Sequence, residues 1–120
     1  MNCCHHYQFV PGNEQVFSAD VTRIRYGCGV LGELGQEAGT LGIRRVAVYT
    51  DARVASLPLF EEAIDALRHE GIEAVVYDEV RVEPTDASFK DAAAFASGGD
   101  FDGFISIGGG SVIDTAKAAN

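Results

Sequence analysis

The chain has 120 residues, 47% of them apolar and 22% charged, enough for one ordinary globular domain with one hydrophobic core. Eighteen acidic residues against nine basic ones leave a net charge of −9, which repels nucleic-acid phosphates on average. No apolar run approaches the roughly 18 residues of a membrane span, so neither nucleic acid nor membrane is expected among its partners.

Cys3, Cys4 and Cys28 make an odd count with two neighbours adjacent, unlike a secreted disulfide framework. The opening residues have neither the apolar core of a signal peptide nor the arginines of a mitochondrial presequence. The expected compartment is the cytoplasm, or the mitochondrion should the source be eukaryotic. Cys3-Cys4-His5-His6 resembles a metal site only in composition, because four consecutive side chains cannot all converge on one tetrahedral ion.

Residues 1–15 read as an irregular lead-in, with Pro11-Gly12-Asn13 as a turn signal. The stretch Val16 to Tyr26 has the β-branched and aromatic content of a short hairpin or two edge strands. Val30, Leu31, Leu34, Ala38 and Leu41 then follow helical spacing, with Gly42 as a stop. Gly35 and Gly39 weaken that helix by about 1 kcal/mol each relative to Ala, so packing has to hold it. Arg45 to Thr50 predicts a strand buried on both faces. Phe60, Ala63, Ile64 and Leu67 share one helical face that Gly71 closes.

Ala74 to Tyr77 predicts a second buried strand, and Pro84-Thr85 a helix entry. Phe89, Ala92, Ala93 and Ala96 form the stripe of that helix, and Gly98-Gly99 its end. Phe104 to Ile107 predicts a third buried strand, running into Gly108-Gly109-Gly110 and a helix from Ser111. Strand and helix alternate three times, which predicts an α/β fold: a Rossmann-like parallel sheet with flanking helices and right-handed crossovers.

The most informative stretch is Ile107 to Lys117. Glycines let a backbone approach a ligand, and the free amides of a helix N-terminus point outward with the positive end of its dipole. That assembly suits a pyrophosphate. Neither standard fingerprint is met: G-x-G-x-x-G wants glycine where Ile113 stands, and a P-loop lysine would precede Lys117. Ser111 with Asp114 also has the spacing of a capping box, so phosphate binding and plain turn geometry both stay open. Asp51 ends the first strand of the alternation. A carboxylate there can accept hydrogen bonds from ribose hydroxyls and repel a 2′-phosphate, favouring NAD over NADP. It can equally cap the segment Ala52–Ser56, and the two roles are compatible.

Gly108-Gly109-Gly110-Ser111, followed by Asp114 and Lys117-Ala118, resembles the glycine motif of the iron-containing alcohol dehydrogenases. The hydroxyacid–oxoacid transhydrogenase branch is the nearer likeness. It is carried by Ile24-Arg25-Tyr26-Gly27, by Tyr77-Asp78 with Val80-Arg81-Val82-Glu83-Pro84-Thr85-Asp86, and by Gly108 through Asn120. The likeness runs from about Phe17 to the last residue. It implies the N-terminal domain of a two-domain, dehydroquinate synthase-like fold. Residues 16–120 would be part of a nucleotide-binding domain, truncated ahead of a helical domain in which one Asp and three His hold iron or zinc.

The resemblance further implies NAD as cofactor and small hydroxyacid and oxoacid substrates. The branch oxidises 4-hydroxybutyrate to succinate semialdehyde while reducing 2-oxoglutarate to 2-hydroxyglutarate. Carried over by residue, Gly109, Gly110 and Ser111 face the pyrophosphate, Asp51 the adenosine ribose, and Asp114 the nicotinamide end. No position here matches the metal ligands, so this chain is expected to bind no metal and, alone, to be inactive. A homo-oligomer stays open. The rival readings are a non-catalytic nucleotide-binding module and an inert fragment.

Other reactive residue types receive plain assignments. His69 is beside Arg68 near a helix C-terminus, where cations favour the dipole. Cys28 has no paired His to activate it, and Tyr7, Tyr26, Tyr49 and Tyr77 read as packing residues.

Overall fold

The computed structural model describes residues 23–120. The lead-in, Cys3-Cys4-His5-His6 and residues 16–22 of the expected hairpin lie outside them, while residues 23–26 run as coil.

Three parallel strands form the sheet in the order β2-β1-β3, with β1 spanning Arg45–Tyr49, β2 Glu73–Tyr77 and β3 Gly103–Ser106. The helices are α1 (Leu34–Thr40), α2 (Ala52–Ala55), α3 (Pro58–His69), α4 (Asp86–Gly98) and α5 (Gly110–Ala119). This is the parallel sheet with flanking helices that the alternation predicts.

The alternating side chains of β1 divide the core into two layers. Val46 and Val48 join Ala38 of α1 and Phe60, Ile64 and Leu67 of α3. Ala47 and Tyr49 point the other way, to Ala92 of α4 and Val112 and Ala116 of α5. Tyr49 is the hub of the second layer, ringed by Tyr77, Phe95 and Phe104. Its hydroxyl donates to the Ala92 carbonyl at 3.0 Å, and burial, with Tyr77 beside it, pushes the phenol up to about 12. Tyr49 and Tyr77 therefore pack, as expected.

Four expectations need correcting. Val30–Glu33 is a 3-10 turn preceding α1, so the first helix is shorter than its apolar spacing implies. Ala74 to Tyr77 and Phe104 to Ile107 predict buried strands, but β2 and β3 flank β1 and are only partly covered. Among the described residues only the central strand has a neighbour on each side and helices over both faces. The last helix starts at Gly110 with Gly109 as its cap, and the Ser111–Asp114 capping box is not formed. The capping box that does form is at α4, where Thr85 and Ser88 bond reciprocally.

Gly35 explains how a helix with two glycines holds. A Cβ there would lie 2.0 Å from the Ala66 carbonyl oxygen, so α1 can approach α3 this closely only with glycine. Gly39 faces open space. Gly35→Ala is expected to lower stability by about 1–3 kcal/mol. Gly39→Ala is expected to raise it by up to about 1 kcal/mol. Urea unfolding of both variants reads the opposite signs; shifts in the same direction contradict the packing account.

Asp102 closes the opposite end of the sheet, its carboxylate accepting the Arg45 and Arg44 amides at 2.9 Å each. Those amides hold its carboxyl below the usual range. A depressed folded pKa gives stability that is complete above the unfolded value, about 3.9, and lost as pH falls below it toward the folded value. Melting curves between pH 6 and about pH 2 should therefore fall more steeply for the wild type than for Asp102→Asn. Parallel profiles would remove Asp102 from the acid transition.

Candidate functional site

In an open parallel sheet, a ligand crevice forms outside the carboxyl ends of the strands, where successive connections leave in opposite directions. Here the chain passes from β1 to β2 on one side and returns to β3 on the other, so that point is between β1 and β3. Asp51 follows β1 there, and Gly108-Gly109-Gly110 follows β3.

Thr50 locks this junction. Its N–H donates to the Tyr77 carbonyl at 2.9 Å, its own carbonyl accepts the Val80 N–H at 3.3 Å, and its hydroxyl donates to the Ile107 carbonyl at 2.8 Å. One fully buried residue thus ties the ends of all three strands. Asp51 has a β-region backbone and caps α2, its Oδ1 accepting the Val54 N–H at 2.8 Å. The capping role expected of Asp51 is met.

The three glycines of the turn serve different ends. A Cβ on Gly108 would meet Val112 Cγ2 at 2.6 Å, so the core requires glycine there. A Cβ on Gly109 or Gly110 would meet nothing within 4 Å among the described residues. Their lack of side chains is not called for by the chain's own packing. The Gly109 carbonyl accepts the amides of Val112 and Ile113, while the N–H groups of Gly109, Gly110 and Ser111 have no acceptor among the described residues.

The Ser111 hydroxyl donates to the Val82 carbonyl, pinning the segment after β2 against the start of α5. The result is a cleft of about 140 Å³ lined by Asp51, Val80, Arg81, Val82, Gly109, Gly110, Ser111 and Val112. Ligand pockets for drug-sized molecules run to roughly 300–1,000 Å³. The cleft has room for only one section of a ligand of that size, with the amides of Gly109, Gly110 and Ser111 and the Asp51 carboxylate in its lining.

Four of the five residues expected at a coenzyme site, Asp51, Gly109, Gly110 and Ser111, come together here. The fifth, Asp114, is exposed on α5 and is not part of the cleft lining. Ser111 contributes differently from a free hydroxyl, since its proton is engaged by Val82 and its amide is the available donor. Thr50 and the Val80–Val82 wall carry no sequence signal of a site. Thr50 was visible only as the polar end of an apolar run, and Val80–Val82 only as part of a family-like stretch. Among the described residues no three His, Cys, Asp or Glu side chains group as a metal site, so the iron or zinc of the resemblance has no donor set in them.

The model of the family described as "Iron-containing alcohol dehydrogenase" matches residues 21–120. The chain belongs to that family. Among curated proteins it is 44% identical to the mitochondrial hydroxyacid–oxoacid transhydrogenase of Rattus norvegicus and 42% identical to that of Homo sapiens. Each alignment takes in 97% of this chain and 26% of the relative, so the chain spans about a quarter of those proteins. Among solved structures, the NADH-dependent butanol dehydrogenase A of Thermotoga maritima superposes with a TM-score of 0.77 at 29% identity, covering 88% of this chain and 27% of that one. The iron-containing alcohol dehydrogenase of Thermococcus thioreducens gives 0.75 at 30% identity, covering 82% and 25%.

Proposed function

We propose that the chain is the coenzyme-binding portion of an NAD-linked oxidoreductase of the hydroxyacid–oxoacid transhydrogenase type. The reaction assigned is oxidation of 4-hydroxybutyrate to succinate semialdehyde coupled to reduction of 2-oxoglutarate to 2-hydroxyglutarate. The observation that carries this reading is the trio of amides at Gly109, Gly110 and Ser111 that have no acceptor among the described residues, beside two glycines that packing among those residues does not demand. Identity to transhydrogenases over nearly the whole chain supports that branch.

Bound NAD supplies a carrier for a hydride; the chain's own residues bind and orient it. The amides at the start of α5 donate to the diphosphate with the helix dipole behind them. Asp51 keeps one oxygen on the α2 cap and offers the other to a ribose hydroxyl, disfavouring a 2′-phosphate. Asp114 is assigned to the nicotinamide end, beyond the cleft. No step is assigned to a metal, because the described residues hold no donor set for one. Among the described residues no helix is long and apolar enough to cross a membrane. The curated relatives carry "mitochondrial" in their names, and we assign that compartment to a eukaryotic source and the cytoplasm to any other.

Calorimetric titration with NAD⁺ and NADP⁺ tests this reading. A side chain on Gly109 meets open space and its φ of −86° suits any L-residue, so Gly109→Val should fold normally. It should nonetheless lose affinity for NAD⁺ by about tenfold or more, about 1.4 kcal/mol, as the amide cradle is blocked. Asp51→Asn keeps the cap acceptor and should narrow the preference for NAD⁺ over NADP⁺. Wild-type affinity in Gly109→Val would contradict the assignment.

A further inference from the structure

The run Val80 to Asp86 resembles the transhydrogenase branch, yet the coenzyme reading gives it no task. The structure makes its first residues the wall of the cleft facing the glycine turn. Arg81 is the one cationic side chain in that lining, and Asp51 the one anionic.

Arg81 is held between two fixed neighbours. Val80 is buried and its amide donates to the Thr50 carbonyl, while the Val82 carbonyl accepts the Ser111 hydroxyl. The backbone at 81 is therefore anchored on both sides, to the end of β1 and to the start of α5. The side chain is exposed. In a chain with eighteen acidic residues, Arg23, Arg25, Arg45 and Arg68 each pair with a carboxylate. Arg81, like Arg44, Arg53, Lys90 and Lys117, pairs with none among the described residues, and of these five it alone lines this cleft.

A guanidinium without a carboxylate partner among the described residues, on a pinned segment across from amides without an acceptor among them, is one half of an anion clamp. We propose that Arg81 binds the diphosphate of a dinucleotide from the wall opposite α5, as a positioning residue beyond the glycine turn. This rests on the coenzyme reading above. The guanidinium supplies full positive charge where the helix end supplies only partial charge, and it offsets the repulsion between a strongly acidic chain and an anionic ligand. Asp51 and Arg81 then sort the two chemistries of one ligand, hydroxyls to the carboxylate and phosphates to the guanidinium.

The test is calorimetric titration of the wild-type chain and of Arg81→Gln with NAD⁺, NADP⁺, ADP and adenosine at two salt concentrations. Arg81→Gln should weaken NAD⁺ and ADP alike, by about tenfold, and leave adenosine unchanged. Its affinity for ADP should also depend less on salt, and Arg81→Lys should recover part of the loss. Circular dichroism checks that this exposed side chain is replaced without loss of fold. Equal affinity of wild type and Arg81→Gln for ADP would overturn the proposal while leaving the coenzyme reading intact. A loss confined to NADP⁺ would overturn it too, placing the guanidinium at a 2′-phosphate. A wild-type chain that binds neither NAD⁺ nor ADP would overturn both readings together.

Discussion

Burial of β1 on both faces and pairing on both edges is the constraint on which the rest of the structure depends. Val46 to Thr50 are fully buried, and every backbone polar group in such a strand must find a partner within the protein. β2 and β3 supply them in parallel register. Burying each of the larger apolar side chains contributes about 1.5–3 kcal/mol, which favours helices on both sides of the sheet. The same requirement reaches the site. The strand ends in Thr50, whose three hydrogen bonds place the segment after β2 and the turn after β3 at fixed positions relative to each other. The two walls of the cleft follow from satisfying one buried residue.

Formal charge alone would argue against an anionic ligand for a chain at −9. The local field at the cleft has a different origin. Amides at the start of α5 carry partial positive charge that no count of lysines and arginines includes. The division of labour among the glycines shows which part of the turn belongs to the fold. Gly108 makes room for Val112, while Gly109 and Gly110 leave space that no described residue fills. Glycine is a poorer helix former than alanine, and no packing among the described residues calls for Gly110 at the first position of α5. On the proposed coenzyme reading, close approach of a ligand gives it a reason.

The elements whose signals are local were legible in the sequence. The stripe Phe60, Ala63, Ile64 and Leu67 became the buried face of α3, and Thr85 began α4. The apolar run at Arg45–Thr50 became the central strand. The equally apolar runs at Ala74–Tyr77 and Phe104–Ile107 did not become buried strands, because position in the sheet is set by neighbours and not by a strand's own residues. Ser111 was misleading for the same reason. Its spacing to Asp114 matches a capping box, but the helix began one residue earlier and the hydroxyl found the Val82 carbonyl, far away in sequence. The glycine turn and Asp51 were readable as candidate site residues. Arg81 and Val82 opposite them were not, since a cleft wall formed by tertiary contact leaves no periodic trace.

The central claim is that the bare amides after β3 receive the diphosphate of a dinucleotide. Amide proton and nitrogen chemical shifts of the isotopically labelled chain, followed during titration with NAD⁺, test it directly. The largest shifts should fall on Gly109, Gly110 and Ser111 and saturate together with a single dissociation constant. Saturable shifts confined to another face of the sheet, with those three amides unmoved, would contradict it.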